Sequence, residues 1–164
     1  GVLPDIELEE TKMSPITTAL LKNDGIFDYA TSYYYKNPNL GDKIPALTDA
    51  DYASFKQYLK ANKVSFDTET EVALRNTLAA AKNEKIDETI AAEYQQLLTA
   101  LEKSEATLLD KNQKEIKNLI TEELIKRYQY QDGLYQYYLK NNSEIKKAVN
   151  VLNNQNEYKT ILKM

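Results

Sequence analysis

The amino-acid sequence predicts an all-α protein, an irregular helical bundle with long central helices that follows a short extended segment. Three observations favour this fold. From residue 15 onward, most apolar residues recur at steps of three and four, the spacing of a helix that buries one face. Ser or Thr precedes several of these stretches, at the position of a helix N-cap. Only residues 1–10 differ, because Ile6 and Leu8 alternate with acidic residues as in a half-buried strand.

The first two helices are predicted from their end signals. Ser14 before Pro15 indicates an N-cap with proline at the first helical position. Asp24 is predicted to cap a second helix, which carries apolar residues at helical spacing until Pro38 stops it. Residues 37–47 contain two prolines and a glycine, so we expect them to form a loop.

The third and fourth helices begin with similar signals. Thr48 and Asp51 match the Asp variant of the capping box. The apolar stripe that follows comprises Tyr52, Phe55, Tyr58 and Leu59. After a short extended link at residues 64–66, either Asp67 or Thr68 is expected to cap the fourth helix.

The longest periodic stretch covers residues 86–139, and no proline or glycine interrupts it before Gly133. A single helix over residues 87–130 would be about 66 Å long, far above the usual length in globular proteins. We therefore expect two helices with a break at residues 110–112, where Asp and Asn can turn the chain. Ser143 is predicted to cap one more short helix, with a last turn or two after it.

The composition excludes several kinds of chemistry. The 164 residues fit one domain and include no Cys and no His, so a thiol nucleophile, a disulfide, a zinc finger and a histidine base are all excluded. The net charge is −4 and basic residues form no separate stripe, which argues against a nucleic-acid partner. No apolar run approaches the roughly 20 residues of a membrane span. We predict no catalytic residue, no metal site and no cofactor in this chain.

Two patterns in the sequence are candidates for a reactive site. Ser143 and Lys146 match the S-x-x-K spelling of a serine acyl-transfer site, but Ser143 also stands where an N-cap is needed. Neighbouring carboxylates diverge on a helix, so a solvated acidic face is the favoured interpretation of the acidic pairs. These pairs are Glu122 with Glu123 and Glu69 with Glu71.

Tyrosine is unusually frequent, with 13 Tyr and no Trp in the chain. At helical spacing, Tyr128, Tyr135 and Tyr138 are predicted to line one core face with their hydroxyls at the rim. The consecutive tyrosines at 33–35 cannot all face inward, so at least one of them is expected to be exposed. An aromatic surface that binds peptides or sugars is the alternative interpretation.

The extended segment at residues 1–10 cannot hold itself in place. Ordering ten residues costs roughly 10–20 kcal/mol in backbone entropy. Burying its four apolar side chains returns about 6–12 kcal/mol. The strand therefore needs a partner sheet, which we expect either upstream of this sequence or on another molecule.

Several segments resemble a known family. The opening "GVLPDI" is similar to the Gly-x-x-Pro-Asp-Ile/Val segment that follows the catalytic core of the carboxy-terminal processing peptidases, also called tail-specific proteases. Gly1, Pro4, Asp5 and Ile6 match that pattern. The helical tail of long bacterial members is resembled by "SPITTALLKNDGIFDYATSYYYKN", "FDTETEVALRNTLAAAKNEK", "LITEELIKRYQYQDG" and "NNSEIKKAVNVLNN".

The resemblance implies a role outside catalysis. Members of the family are exported or periplasmic serine endopeptidases that use a Ser/Lys dyad and a PDZ domain, both of which precede the resembling segment. No residue of this chain matches the catalytic motifs, so no catalytic role is carried over. The resemblance implies that residues 1–10 are the remnant strand of a catalytic domain and that residues 11–164 are a helical C-terminal domain.

Our leading hypothesis is a non-catalytic accessory domain of such an exported protease, which packs on the upstream PDZ domain and core and shapes substrate access or assembly. The alternative is a stand-alone helical binding module whose Tyr-rich surface takes peptide or glycan. A homo-oligomerisation module is a third hypothesis, suggested by the long helical stretch. The expected partners are thus the protease core and its polypeptide substrates, with no membrane span.

Overall fold

The computed structural model describes residues 4–8, 12–40, 46–66 and 68–162, and eight α-helices occupy most of these ranges. The predicted all-α class is confirmed, since no strand occurs in the described residues. The helices are α1 Pro15–Lys22, α2 Gly25–Lys36, α3 Asp49–Ala61, α4 Glu69–Glu84, α5 Asp87–Lys111, α6 Gln113–Asn141, α7 Ser143–Asn153 and α8 Gln155–Ile161.

The finer prediction, an irregular bundle preceded by a strand, is not confirmed. Residues 4–8 contain a bend at Asp5 and Ile6 and no strand, and the rest of the predicted strand lies outside the described residues. A strand needs a neighbouring ladder of backbone hydrogen bonds, which the helices described here do not offer. The boundary between residues 10 and 11 stays a prediction.

Three predicted N-caps are confirmed by their hydrogen bonds. The Ser14 hydroxyl accepts from the Thr17 amide at 3.2 Å. Thr48 and Asp51 form a complete capping box at the start of α3. At the start of α4 the cap is Thr68, which forms a second capping box with Glu71, whereas Asp67 lies outside the described residues.

Two other cap predictions require correction. Asp24 precedes α2, but its φ of 56° is left-handed rather than extended, and its side chain makes no cap hydrogen bond. The cap of α7 is Asn142 rather than Ser143, because the Asn142 side chain accepts from the Ile145 amide at 2.9 Å. Ser143 is therefore the first residue of the helix and not its cap.

The long periodic stretch contains two helices, as predicted. Helix α5 ends at Lys111 and α6 begins at Gln113, so the break falls at Asn112. The Asn112 side-chain amide donates to the Leu108 carbonyl at 2.8 Å and occupies one of the free carbonyls at the end of α5.

The core lies where α1, α2, α3, the end of α5 and the first half of α6 meet. Its buried members are Ile16, Leu20, Ile26, Tyr29, Ala30, Tyr52, Phe55, Leu59, Leu109, Ile116, Ile120 and Leu124. Of the stripe predicted for α3, Tyr52, Phe55 and Leu59 are buried, and Tyr58 is partly buried and packs against the core. Polar groups inside the core are paired: the Tyr52 hydroxyl donates to the Leu109 carbonyl at 2.7 Å, and the buried Thr17 hydroxyl donates to Glu115 at 2.8 Å.

Arg127 joins α6 to α2 at the edge of this core. Its guanidinium donates to the Glu123 carboxylate at 2.7 Å within α6. It also donates to the Phe27 carbonyl at 3.0 Å and to the Thr31 hydroxyl at 2.7 Å on α2. The guanidinium carbon lies 4.5 Å from the centre of the Phe27 ring. The planar, forked donor group of arginine is what allows one side chain to make all these contacts.

Helices α4 and α5 form a hairpin that packs mainly on itself. Of the described residues in the two helices, only Ala81 and Leu109 are buried. Glu105 of α5 is half-buried in the hairpin and hydrogen-bonds Glu71 of α4. Burial first, and then the charges of Glu71 and Glu102 and the hydrogen bond to Glu71, raise the pKa of Glu105 to about 7.

Replacement of Arg127 by Lys is expected to destabilise the fold by about 1–3 kcal/mol, because the single ammonium nitrogen of lysine cannot replace two guanidinium nitrogens, one of which bonds Glu123 and the other α2. Urea unfolding monitored by circular dichroism measures this loss. The control is Lys126→Ala, which removes an exposed contact to the same Glu123 carboxylate; we expect it to change stability by no more than about 0.5 kcal/mol. Equal losses in the two variants would contradict the assigned role of Arg127.

Replacement of Glu105 by Gln is expected to flatten the pH dependence of stability. The unfolded chain releases this proton in the ordinary carboxyl range, whereas the folded chain holds it up to about pH 7. The folded state therefore binds more protons in that window, and stability falls as the pH rises from about 5 to about 8. Melting curves across this range should show a smaller fall for Glu105→Gln than for the parent chain. Glu93→Gln, at an exposed position of the same helix, should retain the parent dependence.

Candidate polypeptide-binding groove

Helix α6 folds back on itself at Tyr130. The backbone of Tyr130 has φ 56° and ψ −155°, far from helical values, and it separates a first segment, residues 113–129, from a second segment, residues 131–141. The Tyr138 hydroxyl donates to the Glu122 carboxylate at 2.8 Å, although the two residues are 16 positions apart. In a straight helix that separation would be about 24 Å. The second segment therefore runs back along the first.

Gly133 makes this fold-back possible. A β-carbon at this position would lie 2.2 Å from Cβ of Gln129 and 3.2 Å from Cγ2 of Ile125. Because Cβ of Gln129 is attached directly to the backbone, it cannot move aside as the end of a flexible side chain could. Any larger residue at position 133 would thus push the two segments apart. Leu134, the next residue, is buried.

The two segments of α6 enclose one side of a groove of about 1250 Å³. Thr121, Ile125 and Gly133 are among its lining residues, and Leu47 lines it from the chain ahead of α3. Amide side chains, among them Asn118 and Gln136, also line it. A groove of this size, partly apolar and partly polar, is suited to a ligand with both apolar and hydrogen-bonding groups.

Lysines give the groove a local positive charge. Lys111, Lys114, Lys117 and Lys140 line it together with Asp110 and Asp132. Two of these six side chains are already paired, since Lys117 contacts Asp49 at 2.8 Å and Asp110 contacts Lys56 at 2.6 Å. The hydrogen bonds from Lys117 and Gln113 hold the pKa of Asp49 below its usual range. Lys111, Lys114 and Lys140 make no ion pair within the described residues and remain available to an anionic ligand.

Tyrosine rings line the same groove to different depths. The Tyr128 hydroxyl donates to the Asn37 carbonyl at 2.6 Å, and its ring packs against Tyr34. Tyr137 is half-buried. Tyr130 is 76% exposed, so its ring is free to contact a ligand. Burial, followed by the hydrogen bond to Glu122, raises the pKa of Tyr138 to about 12 and keeps its hydroxyl protonated.

The predicted tyrosine stripe is only partly correct. Tyr128 and Tyr138 are half-buried, as expected for a core face with hydroxyls at the rim, but Tyr135 is 62% exposed. The stripe was derived for a continuous helix, and the non-helical backbone at Tyr130 rotates every later side chain out of that register. The expectation for residues 33–35 is confirmed, since Tyr35 is 75% exposed.

Ser143 and Lys146 lie on the exposed first turn of α7, and no hydrogen bond joins them among the described contacts.

The glutamates of the two acidic pairs each have a structural role or are exposed. Glu71 belongs to a capping box and Glu69 is exposed. Glu122 accepts from Tyr138. Burial opposes ionisation of Glu123, but hydrogen bonds from Lys126 and Arg127 outweigh it and lower the pKa of Glu123.

The described residues contain no group of three or more acidic side chains arranged to hold a metal ion. None of the described helices combines the length and the apolar character needed to cross a membrane.

Comparison with models of known protein families identifies the family of this chain. The model of a family described as "Probable PDZ-protease, C-terminal helical domain" matches residues 16–152, which is most of the sequence. The chain belongs to this family. The resemblance drawn from the sequence segments is thereby confirmed at the level of a protease-associated helical domain. Neither a curated protein nor a solved structure matches the chain.

The groove was not predicted from the sequence. Its only signal is Gly133, the first glycine after a long periodic stretch, which indicates an interruption but not its direction. The left-handed φ of Tyr130 has no sequence signal, because a tyrosine rarely adopts this conformation.

The strained backbone at Tyr130 predicts that glycine is more stable than alanine at this position, the reverse of the order at a regular helical position. At a regular helical position glycine is about 1 kcal/mol less favourable than alanine. At position 130 we expect Tyr130→Gly to be more stable than Tyr130→Ala, by about 1–3 kcal/mol, because only glycine adopts this backbone without strain. Urea unfolding of both variants measures the difference.

The matched control for this experiment is Gln136, an exposed residue of the same helix. There the alanine variant should be the more stable one of the pair. If alanine is also the better residue at position 130, the backbone at Tyr130 is helical and the fold-back is wrong.

Proposed function

We propose that this chain is the non-catalytic accessory domain of an exported serine endopeptidase of the carboxy-terminal processing type. Membership of the helical-domain family supports the accessory role. The similarity of "GVLPDI" to the segment after the catalytic core supports the serine endopeptidase and its location in the periplasm or cell envelope. The partners of the domain are then the PDZ domain and the protease core of the same polypeptide.

Hydrolysis belongs to the core in this proposal. A serine nucleophile needs a base within hydrogen-bond reach and a site that excludes water. Ser143 and Lys146 both face solvent on the first turn of α7 and are not joined by a hydrogen bond. The S-x-x-K spelling in this chain therefore supports no acyl-transfer role.

The groove along α6 carries the proposal for the role of the domain. It offers exposed aromatic, amide and lysine side chains on a surface large enough for a stretch of extended polypeptide. A protease that captures the ends of other chains has to guide an unfolded polypeptide to its cleft. We propose that this domain receives that polypeptide and so shapes substrate access.

Exposed tyrosines favour a second candidate, a stand-alone helical binding module for peptide or glycan. Tyr130 and Tyr135 are 76% and 62% exposed; Tyr130 lies at the turn between the two segments of α6, and Tyr135 lies within the second segment. Such a module needs no protease core in the same polypeptide. The two candidates therefore differ in what the upstream coding sequence contains.

The test is to express the polypeptide together with its encoded upstream region, with and without residues 12–162, and to measure cleavage of unstructured peptides. We expect the longer polypeptide to cleave them and the isolated 164-residue chain to be inactive. Deletion of the helical residues should slow cleavage of long unfolded substrates more than cleavage of short peptides. Retained cleavage of short peptides shows that the core of the deletion variant is folded.

Two results would contradict the proposal. Turnover by the pure isolated chain would refute the non-catalytic assignment. An upstream region without a Ser and Lys in the family pattern would refute the endopeptidase and leave the binding module.

A further inference from the structure

We infer that the groove between the two segments of α6 is a binding site for acidic, extended polypeptide segments. The inference deepens the proposed function and rests on it only for the statement that the bound polypeptide is a protease substrate. The binding itself follows from the charges, the side chains and the dimensions of the groove.

The groove carries a local excess of positive charge. Lys111, Lys114 and Lys140 line the groove without an ion-pair partner among the described residues, and Asp132 is the acidic lining residue that is left after Asp110 is paired with Lys56. Three free cations against one free anion leave a positive excess in a chain whose net charge is −4. Complementary charge favours encounter with an acidic ligand and disfavours a basic one.

The unpaired lysines among the described residues of the groove are contributed by both segments of α6 and by the end of α5. Lys111 and Lys114 lie at the break between α5 and α6 and at the start of the first segment of α6, whereas Lys140 lies near the end of the second segment. Because the second segment runs back along the first and Tyr138 is bonded to Glu122, Lys140 lies alongside the middle of the first segment. Lys114 and Lys111 lie progressively farther from the turn between the two segments. The three lysines therefore follow one another along the groove, where an extended acidic segment can contact them.

The length of the groove suits a short extended peptide. The second segment contains eleven residues, 131–141, and is about 16 Å long. An extended chain advances about 3.3 Å per residue, so roughly five residues fit along it. The amide side chains of Asn118 and Gln136 can bond the peptide backbone, and the exposed ring of Tyr130 can cover an apolar side chain.

Other ligand classes fit these features less well. A nucleic acid needs a longer basic stripe than three free lysines in an acidic chain. A neutral glycan leaves the lysines without counter-charges and binds mainly by stacking on aromatic faces. Of the tyrosines in the groove, Tyr128 and Tyr137 are half-buried, and Tyr130 is the one that is largely exposed.

The experiment measures binding of fluorescent peptides to the 164-residue chain by anisotropy. One peptide carries Asp and Glu among apolar residues, and its partner carries Asn and Gln at the same positions. We expect the acidic peptide to bind about tenfold more tightly than the amide peptide, and its affinity to fall as the salt concentration rises.

Matched variants locate the site. Lys111→Gln, Lys114→Gln and Lys140→Gln combined should lower the affinity for the acidic peptide about tenfold. The control combines Lys82→Gln, Lys103→Gln and Lys146→Gln, three exposed lysines outside the groove, and reaches the same net charge. The control should retain binding. Circular dichroism establishes that both triple variants are folded.

Three outcomes would overturn the inference: equal binding of the acidic and amide peptides, equal losses in the two triple variants, or preferential binding of a soluble peptidoglycan fragment. The proposed function fails separately. Binding of the acidic peptide without a protease encoded upstream would refute the protease assignment alone, whereas cleavage by the longer polypeptide without peptide binding here would refute the inference alone.

Discussion

The non-helical backbone at Tyr130 is the constraint on which the candidate site and the C-terminal helices depend. One residue with φ 56° and ψ −155° turns α6 back on itself, and Gly133 allows the close approach that follows. As a straight helix, α6 with its 29 residues would be about 43 Å long. The second segment would then not run back along the first, the groove that the two segments enclose would be absent, and α7 would begin far from the first segment.

Such a strained backbone persists only where the surrounding contacts hold it. The first segment of α6 is held by Ile116, Ile120 and Leu124 in the core. Arg127 then fastens it to α2 less than one turn before Tyr130. On the far side, Tyr138 is bonded to Glu122. The contacts before and after Tyr130 thus hold its strained backbone in place, and they define the shape of the groove.

The distribution of charge follows from which side chains are already engaged. In the groove, one lysine and one aspartate are paired with residues outside it, and this leaves a positive excess. In the α4–α5 hairpin the opposite occurs, because Glu105 is hydrogen-bonded to Glu71, and burial together with the charge of Glu71 raises the pKa of Glu105 to about 7. The chain therefore contains a basic groove, in which binding of an acidic ligand is expected to depend on the salt concentration. It also contains an acidic contact in the α4–α5 hairpin, whose effect on stability depends on the pH.

The sequence by itself determined the helical class, the caps at Ser14 and Thr48, a cap at either Asp67 or Thr68, and a break within residues 110–112, because each depends on contacts within three or four residues. It also indicated the family through short segments. It placed the cap of α7 one residue late, since Asn142 and Ser143 are both suitable and the local backbone chooses between them. The groove and the exposure of Tyr135 were decided only by the tertiary structure, because the backbone at Tyr130 is set by packing between residues far apart in the chain.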